Sequence, residues 1–331
     1  MSAFTAIAHS NIALIKYWGK RDEVLNLPAV GSISMALSAL FTTTTVEFQE
    51  GLSSDELVLN GKTAPEKQLR RTTAFLDLFR TLAGNSTFAR IVSENNFPTG
   101  AGLASSASGF AALTLAACAA ANLDPTFTQM SEYARMGSGS AARSIFGGFV
   151  EMRHGRRADG MDAVAEPMYP QDYWPLEMLI CVTEEGEKEI GSTAGMNLTR
   201  DTSAYYSAWI RTGEADLAAM REALSKKDFQ LVGELAEYSC LKMHALAMSA
   251  NPGILYWNGT SVEIMQAIRK LRKAGHPVYF TIDAGPQIKL LCPPGGSAAI
   301  LEKIRDFPGI RQIIVTGVGP GAYLTRAGAG L

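Results

Sequence analysis

The sequence lacks the features that mark disulfide-stapled, zinc-binding and membrane-spanning proteins. It has four cysteines, which lie far apart in apolar surroundings and form no CxxC pair. They are Cys118, Cys181, Cys240 and Cys292. This usage predicts core thiols in a reducing compartment. No uninterrupted apolar run approaches the roughly 18 residues of a membrane-spanning helix, and the first residues lack the regions of a signal peptide. We therefore expect a cytoplasmic protein that is not bound to membranes.

An excess of charge of either sign is also missing. The chain carries 30 basic and 32 acidic residues, so no global field draws it to nucleic acid or to an anionic membrane. An anionic substrate must therefore meet cations that are placed locally. With 331 residues, of which 47% are hydrophobic, the chain can bury a large core in one domain or in two fused lobes.

Hydrophobic periodicity predicts strands and helices in a mixed order, which is typical of the α+β class. In the first half we expect strands at 4–8, 41–48, 88–93 and 148–152 and helices at 66–82, 104–121 and 126–136. Thr126 or Asp124 is expected to cap the last of these helices. In the second half we expect helices at 204–226, 228–247, 256–274 and 298–305 and strands at 178–183, 278–283, 289–292 and 311–316.

Glycines and small residues precede a helix in the segment PTGAGLASSASG at 98–109. Such a turn lets backbone N–H groups approach an anion at a helix N-terminus, so the segment is a candidate phosphate cradle. It is not a Walker A loop, because no GK[ST] follows, and its glycine spacing does not match the Rossmann fingerprint. The alternative is a glycine-rich turn before a closely packed helix.

Three other segments carry candidate chemistry. The run GSGSAARS at 137–144 offers hydroxyls and Arg143, which can bind a carboxylate or phosphate in a bidentate manner, unless its serines only cap a helix. Lys16 lies in an apolar stretch, so it should face an anion or a carboxylate unless it reaches the surface beside an aromatic residue. Asp283 ends an apolar strand, a position that suits acid–base chemistry and equally an ordinary turn.

Together these segments resemble the diphosphomevalonate decarboxylase family, within the superfamily of galactokinase, homoserine kinase, mevalonate kinase and phosphomevalonate kinase. The matching motifs run nearly end to end: NIALIKYWGKRD at 11–22, NNFPTGAGLASSASGFAAL at 95–113, GSGSAARSIFGG at 137–148, MHA at 243–245 and DAGP at 283–286. The resemblance implies an α+β, two-lobed small-molecule kinase fold. Its ribosomal protein S5 domain 2-like N-terminal lobe, at 1–175, would bind the nucleotide, and its ferredoxin-like α+β C-terminal lobe, at 176–331, would carry the catalytic aspartate.

The resemblance also implies an activity and a set of residue roles. The family uses ATP and Mg²⁺ to phosphorylate the tertiary 3-hydroxyl of mevalonate 5-diphosphate, and loss of that phosphate with carbon dioxide leaves isopentenyl diphosphate. Asp283 would orient the hydroxyl and accept its proton, Lys16 would neutralise nearby charge, and Arg143 would hold the substrate carboxylate. The positions that match the substrate site are Tyr17, Lys20, Ser138, Gly139, Ser140 and Ser192. Those that match the nucleotide loop are Gly102, Ser105, Ser106 and Ser108, with Ser106 nearest to Mg²⁺. The family is often homodimeric.

Several positions depart from the family pattern. Val30 and Gly31 stand where an Asn-Ser pair is common, and Ala36 stands where threonine is usual. Gln287 follows DAGP where asparagine is frequent, and Thr193 stands where some bacterial members have arginine. Because of these departures, two alternative activities stay open: that of a mevalonate 5-phosphate decarboxylase and that of a mevalonate 3-kinase that does not decarboxylate. A catalytically silent nucleotide-binding protein is the alternative outside the enzymes.

Overall fold

The computed structural model describes residues 2–97, 105–184 and 189–325. The first half contains β1 (Phe4–Ile15), β2 (Lys20–Asp22), β3 (Leu27–Pro28), β4 (Ser32–Phe48), β5 (Glu56–Leu59), β6 (Lys62–Thr63), α1 (Glu66–Ala83), β7 (Ala89–Asn95), α2 (Ser105–Ala120), α3 (Phe127–Gly137), α4 (Ala141–Ser144), β8 (Phe149–Met152) and β9 (Ala165–Tyr169). The second half contains β10 (Glu177–Val182), α5 (Ser192–Thr202), α6 (Tyr206–Ser225), α7 (Phe229–Met248), α8 (Gly259–Lys273), β11 (Tyr279–Ile282), β12 (Ile288–Cys292), α9 (Ser297–Ile304), β13 (Gln312–Gly317) and β14 (Tyr323–Leu324). This mixed order confirms the predicted α+β class.

The strands form two main sheets. The larger sheet has the order β14-β1-β4-β7-β5-β6, with β8 paired to β4 and β9 paired to β8. The smaller sheet has the order β11-β12-β10-β13 and is antiparallel throughout. Because β14 pairs with β1, the chain returns to the first sheet near its end. The ends of β1 and β11, which carry Lys16 and Asp283, therefore belong to different sheets.

One hydrophobic core joins the two sheets. It includes Ile12 and Ile33 from the larger sheet, Met178 and Ile180 from the smaller sheet, and Leu217 from α6. The helix α7 packs against both β1 and β11. On the other face of the smaller sheet, α8 and α9 bury a separate apolar cluster. Burial of apolar surface between the sheets is what brings the two strand ends together.

The strongest sequence signals were those of the helices. The alanine-rich α2 is apolar all round and most of its residues are buried, as expected of a helix with no polar face. Thr126 caps α3 through a capping box, so of the two candidates Thr126 and Asp124 the first is confirmed, and Asp228 caps α7.

All four cysteines are free and buried, as predicted. None of the helices in the described ranges is both long enough and apolar enough to cross a membrane.

The structure departs from the predicted elements in several places, and the short strands β2, β3, β5, β6, β9 and β14 are not predicted. Strands β1 and β4 are longer than predicted, because burial on both faces removes the alternation that marks a strand, and β1 also has a register shift after His9. The periodicity also fails to predict α5, whose glycine, asparagine and threonines have low helix propensity. Tertiary contacts stabilise it instead: Trp18 Nε1 donates to Thr199 Oγ1 at 2.9 Å, and Met196 is buried in the same apolar cluster as Trp18.

Candidate active site

The carboxylate of Asp283, directly after β11, lies between two buried lysines. Lys16 Nζ donates to Oδ1 at 2.5 Å, and Lys289 Nζ lies 3.8 Å from Oδ2. Both lysine side chains are 1% exposed, whereas the Asp283 side chain is 26% exposed. Burial alone would raise the pKa of Asp283, but Lys16, Lys289 and Arg143 together lower it to about 2. The carboxylate is therefore ionised at neutral pH and accessible to a ligand. We call Lys16, Arg143, Asp283 and Lys289 the Asp283 site.

Lys16 directly follows β1 and meets Asp283 only through tertiary structure, since the two residues are 267 positions apart. Its backbone N–H donates to Ser239 Oγ of α7 at 2.9 Å. The sequence predicts that a lysine buried in this apolar stretch faces an anion or a carboxylate, and the contact with Asp283 is of that kind. The alternative, a lysine that reaches the surface, is wrong.

Lys289 is a member of the Asp283 site that the sequence analysis does not single out. It lies in β12 opposite Thr281 of β11, and residues paired across two strands point to the same face. Asp283, two residues beyond Thr281, continues that face. The argument used for Lys16 applies to Lys289 as well, because Lys289 is a single lysine inside an otherwise apolar and fully buried strand.

Arg143 lies in the short helix α4 and is almost fully buried, at 2% exposed. Its Nε donates to Asn11 Oδ1 at 3.2 Å and its Nη1 donates to Ser32 Oγ at 2.6 Å. Burial lowers the pKa of Arg143 to about 10, and the Asp283 charge opposes that shift. The guanidinium is thus charged and fixed by two neutral side chains. Within the described ranges Nη2 makes no hydrogen bond, which leaves this donor for a ligand.

The loop before α4 contacts Tyr17, which follows Lys16. The Tyr17 hydroxyl is buried and has no hydrogen-bond partner among the described residues. A Cβ at Gly139 would lie 2.3 Å from this hydroxyl, so any larger residue there would require the Tyr17 side chain to move. Ser138 Oγ lies 3.3 Å from Ser140 Oγ and 3.4 Å from Ser106 Oγ at the start of α2. The two small-residue segments that the sequence indicates therefore lie side by side.

A second cationic region lies beside the N-terminus of α5. Lys20 is buried, and its Nζ donates to Thr193 Oγ1 at 3.2 Å, next to Ser192 at the first position of the helix. Burial lowers the pKa of Lys20, and the nearby charge of Arg71 lowers it further. Arg71, which the sequence analysis does not single out, also donates to the carbonyl of Gly137 at 2.7 Å. Two cations and a helix N-terminus form a region suited to an anion.

The predicted nucleotide loop is described only in part. Gly102 lies outside the described residues, and Ser105 and Ser106 occupy the first turn of α2. Ser106 is exposed. Ser108 is fully buried, where its hydroxyl lies 2.6 Å from Thr42 Oγ1 and accepts from Ser10 Oγ at 3.2 Å. Its side chain therefore joins α2 to the larger sheet through buried hydrogen bonds.

Two of the departures from the family pattern have structural roles in this chain. Gln287 is buried, accepts from the backbone N–H of Thr183 at 2.6 Å and donates to the carbonyl of Glu184. Val30 packs in the apolar cluster that contains Trp18 and Met196. Neither side chain belongs to the Asp283 site.

Comparisons with known proteins agree along nearly the whole chain. The model of a diphosphomevalonate decarboxylase-like N-terminal domain matches residues 8–165, and that of a mevalonate 5-diphosphate decarboxylase C-terminal domain matches residues 178–318. The diphosphomevalonate decarboxylase of Candida albicans is 35% identical over an alignment of 356 positions, which covers 98% of each chain.

Solved structures give the same result. The mevalonate diphosphate decarboxylase from Staphylococcus aureus superposes with a TM-score of 0.93 at 38% identity, covering 98% of each chain. A structure of MDDEF in complex with MVAPP, AMPPCP and magnesium superposes with a TM-score of 0.92 at 40% identity, again covering 98% of each chain. The predicted two-lobed fold is confirmed by these structures.

Proposed function

Because this chain belongs to the diphosphomevalonate decarboxylase family, we propose that the Asp283 site is where it carries out the reaction of that family. The enzyme uses ATP and Mg²⁺ to convert mevalonate 5-diphosphate into isopentenyl diphosphate, with release of ADP, phosphate and carbon dioxide. The observation that supports the location is the ionised, accessible carboxylate of Asp283, held by Lys16 and Lys289 beside the buried Arg143.

Asp283 accepts a hydrogen bond from the 3-hydroxyl of the substrate and orients it for phosphoryl transfer. A carboxylate with a pKa of about 2 is a weak base. Phosphoryl transfer nevertheless passes through a loose transition state, so the hydroxyl gives up its proton late, when the oxygen has become much more acidic. The proton passes from Asp283 to the new 3-phosphate, which is the stronger base, so the carboxylate is again ionised. When the protonated phosphate then leaves, positive charge develops at C3, and the restored negative charge of Asp283 stabilises it.

Lys16, Lys289 and Arg143 supply the opposite charge. Lys16 neutralises charge around Asp283 and the transferring phosphoryl group, while Arg143 holds the substrate carboxylate through the donor that no described residue uses. A carboxylate held by a fixed guanidinium stays oriented until the carbon–carbon bond breaks. The protein has a net charge of only -2, so these local cations account for the attraction of a highly anionic substrate.

The 5-diphosphate of the substrate binds between Tyr17 and the N-terminus of α5. Suitable donors are the Tyr17 hydroxyl, which bonds to no residue in the described part of the chain, the Nζ of Lys20 and the first turn of α5 at Ser192. The loop of Ser138, Gly139 and Ser140 adds hydroxyl and backbone donors beside Tyr17.

The start of α2 suits a nucleotide phosphate. Its first turn has no acidic side chain, so the positive end of the helix dipole is unopposed. Among the described residues no cluster of His, Cys, Asp or Glu could hold a metal alone, which fits an ion carried by the nucleotide, with the exposed Ser106 as its protein partner. When bound, Mg²⁺ bridges phosphate oxygens and neutralises their charge. Gly102 and Ser105 contribute donors to the phosphates, and Ser108 supports the loop.

The proposal extends to organisation and location. Residues 1–175 form the nucleotide-binding lobe, and residues 176–331 form the lobe that carries Asp283. The chain acts as a homodimer in the cytoplasm, without nucleic acid or membrane partners. Four buried free thiols and the near-neutral charge support the location and the lack of polyanionic partners. Sedimentation equilibrium tests the homodimer, and a monomer mass would contradict it.

The reaction is tested by mixing the protein with Mg-ATP and, separately, mevalonate, its 5-phosphate and its 5-diphosphate. We expect equal release of ADP and carbon dioxide with the diphosphate alone. Equal release with the monophosphate would identify mevalonate 5-phosphate as the substrate instead. Release of ADP without carbon dioxide would show that the protein is a kinase, and the role proposed for Arg143 would then be wrong.

Replacing Lys289 with methionine should lower kcat by about 10- to 100-fold, because one of the two cations that hold Asp283 is lost. Methionine has a similar length and suits the apolar surroundings. Since the lysines depress the pKa of Asp283, removing one must raise it, and activity should then begin to fall at a higher pH on the acid side. The measurement is kcat as a function of pH.

The matched control is Lys242→Met. Lys242 is also a largely buried lysine paired with an aspartate, Asp216, but it joins α6 to α7 away from the Asp283 site. This variant should lose stability and keep the kcat and pH profile of the wild type. A Lys289→Met enzyme that behaves like the Lys242→Met enzyme would contradict the role of Lys289.

A further inference from the structure

The helix α7 bonds to both strand ends that form the Asp283 site. On one side, Ser239 Oγ accepts the backbone N–H of Lys16 at 2.9 Å. On the other side, Cys240 and His244 bond to the peptide groups of Ile282, the residue before Asp283. Because β1 and β11 lie in different sheets and do not pair, α7 connects Lys16 and Asp283 through a single rigid element.

The bonds to Ile282 involve both of its backbone polar groups. Its N–H donates to Cys240 Sγ at 3.2 Å, and its carbonyl accepts from Cys240 Sγ at 3.5 Å. His244 Nε2 lies 3.3 Å from the same carbonyl, and since a carbonyl only accepts, Nε2 carries the hydrogen. Cys240 and His244 are one helical turn apart, so they lie on the same face of α7.

Neither side chain carries protons in the reaction. Burial raises the pKa of Cys240 to about 11 and lowers the pKa of His244 to about 3, in both cases with Lys16, Asp283 and Lys289 as the nearby charges. The thiol therefore stays protonated and the imidazole stays neutral across the working pH range. Their capacity to bond Ile282 therefore does not change with pH in this range, as expected of a fixed support.

We propose that Ser239, Cys240 and His244 are positioning residues, through which α7 sets the spacing between Lys16 Nζ and the Asp283 carboxylate. The inference rests on the proposed function of the Asp283 site. Misplacing a catalytic group by about 1 Å can cost about a hundredfold in rate, so the four buried hydrogen bonds that these three side chains make to the two backbones affect turnover more than binding. His244, the histidine of the MHA motif at 243–245, thus has a positioning role in addition to its packing.

The test compares two substitutions of His244. In His244→Gln the side-chain amide nitrogen can still donate to the Ile282 carbonyl, whereas His244→Leu keeps the bulk and removes the donor. We expect His244→Leu to lower kcat by about 10- to 100-fold with the KM values for ATP and mevalonate 5-diphosphate nearly unchanged. His244→Gln should recover most of that loss. Ser239→Ala should lower kcat in the same way from the Lys16 side.

The matched control is Val232→Ala, a core truncation in the same helix that contacts neither strand end by a side-chain hydrogen bond. It should lower the melting temperature and leave kcat near the wild-type value. The proposal is overturned if His244→Leu lowers kcat no more than Val232→Ala does, or if His244→Gln is as slow as His244→Leu. Wild-type release of ADP and carbon dioxide is measured first, so failure of the underlying function is recognised separately.

Discussion

Replacing Asp283 with asparagine should lower kcat by about a thousandfold, for ADP and carbon dioxide release alike. The amide has nearly the same shape, but it brings no negative charge. It can neither take the hydroxyl proton nor stabilise positive charge at C3. Lys16 and Lys289 would also lose their counter-charge, at a cost of about 3 kcal/mol in folding stability. Coupled measurements of ADP and carbon dioxide check the rates, and calorimetry checks that ATP still binds.

A control variant is needed to separate the loss of a buried counter-charge from the loss of a catalytic group. Asp216→Asn removes a largely buried aspartate from Lys242, in a pair between α6 and α7 that lies outside the Asp283 site. We expect a comparable loss of stability with kcat near the wild-type value. If Asp283→Asn keeps near-normal turnover, the mechanism is wrong. A loss of carbon dioxide release with normal ADP release would restrict Asp283 to the second step.

The strong helices could be predicted from the sequence because local signals agree there. For α7, the apolar pattern predicts 228–247, and the helix spans Phe229–Met248, with Asp228 as its N-cap. The helix α5 could not be predicted in this way, since its own residues disfavour a helix and contacts with Trp18 stabilise it. Local propensity is informative only where tertiary contacts do not override it.

Local patterns indicate Lys16, Arg143 and Asp283 one by one, and only the family resemblance assigns the three residues to one site. The cost of burying a charge predicts a partner for Lys16, and the same argument applied to β12 would have found Lys289. No local pattern shows that these lysines share one carboxylate, because the three residues come from two sheets. Equally, nothing in the run SSAS at 105–108 shows that Ser108 faces the core while Ser106 is exposed.

Replacing Arg143 with lysine should lower kcat/KM for mevalonate 5-diphosphate by about a hundredfold or more. Lysine keeps the charge but lacks the planar fork, so it cannot bond Asn11 and Ser32 and still present a donor to the substrate. If Arg143 holds the substrate carboxylate, the loss must disappear for a ligand that has none. The measurement therefore compares mevalonate 5-diphosphate with 3-hydroxy-3-methylbutyl diphosphate, which has the same tertiary hydroxyl and no carboxylate, by ADP release.

The comparison separates recognition of the carboxylate from a general disturbance. The wild type should strongly prefer mevalonate 5-diphosphate, and Arg143→Lys should turn over both ligands at similar, low efficiency. Arg135→Lys is the matched control, because Arg135 is an equally buried arginine whose hydrogen bonds within the described residues go only to the carbonyls of Leu25, Gly160 and Ala163. That variant should be less stable and keep the wild-type preference. An Arg143→Lys enzyme that still prefers mevalonate 5-diphosphate as strongly as the wild type would show that the carboxylate is held by another group.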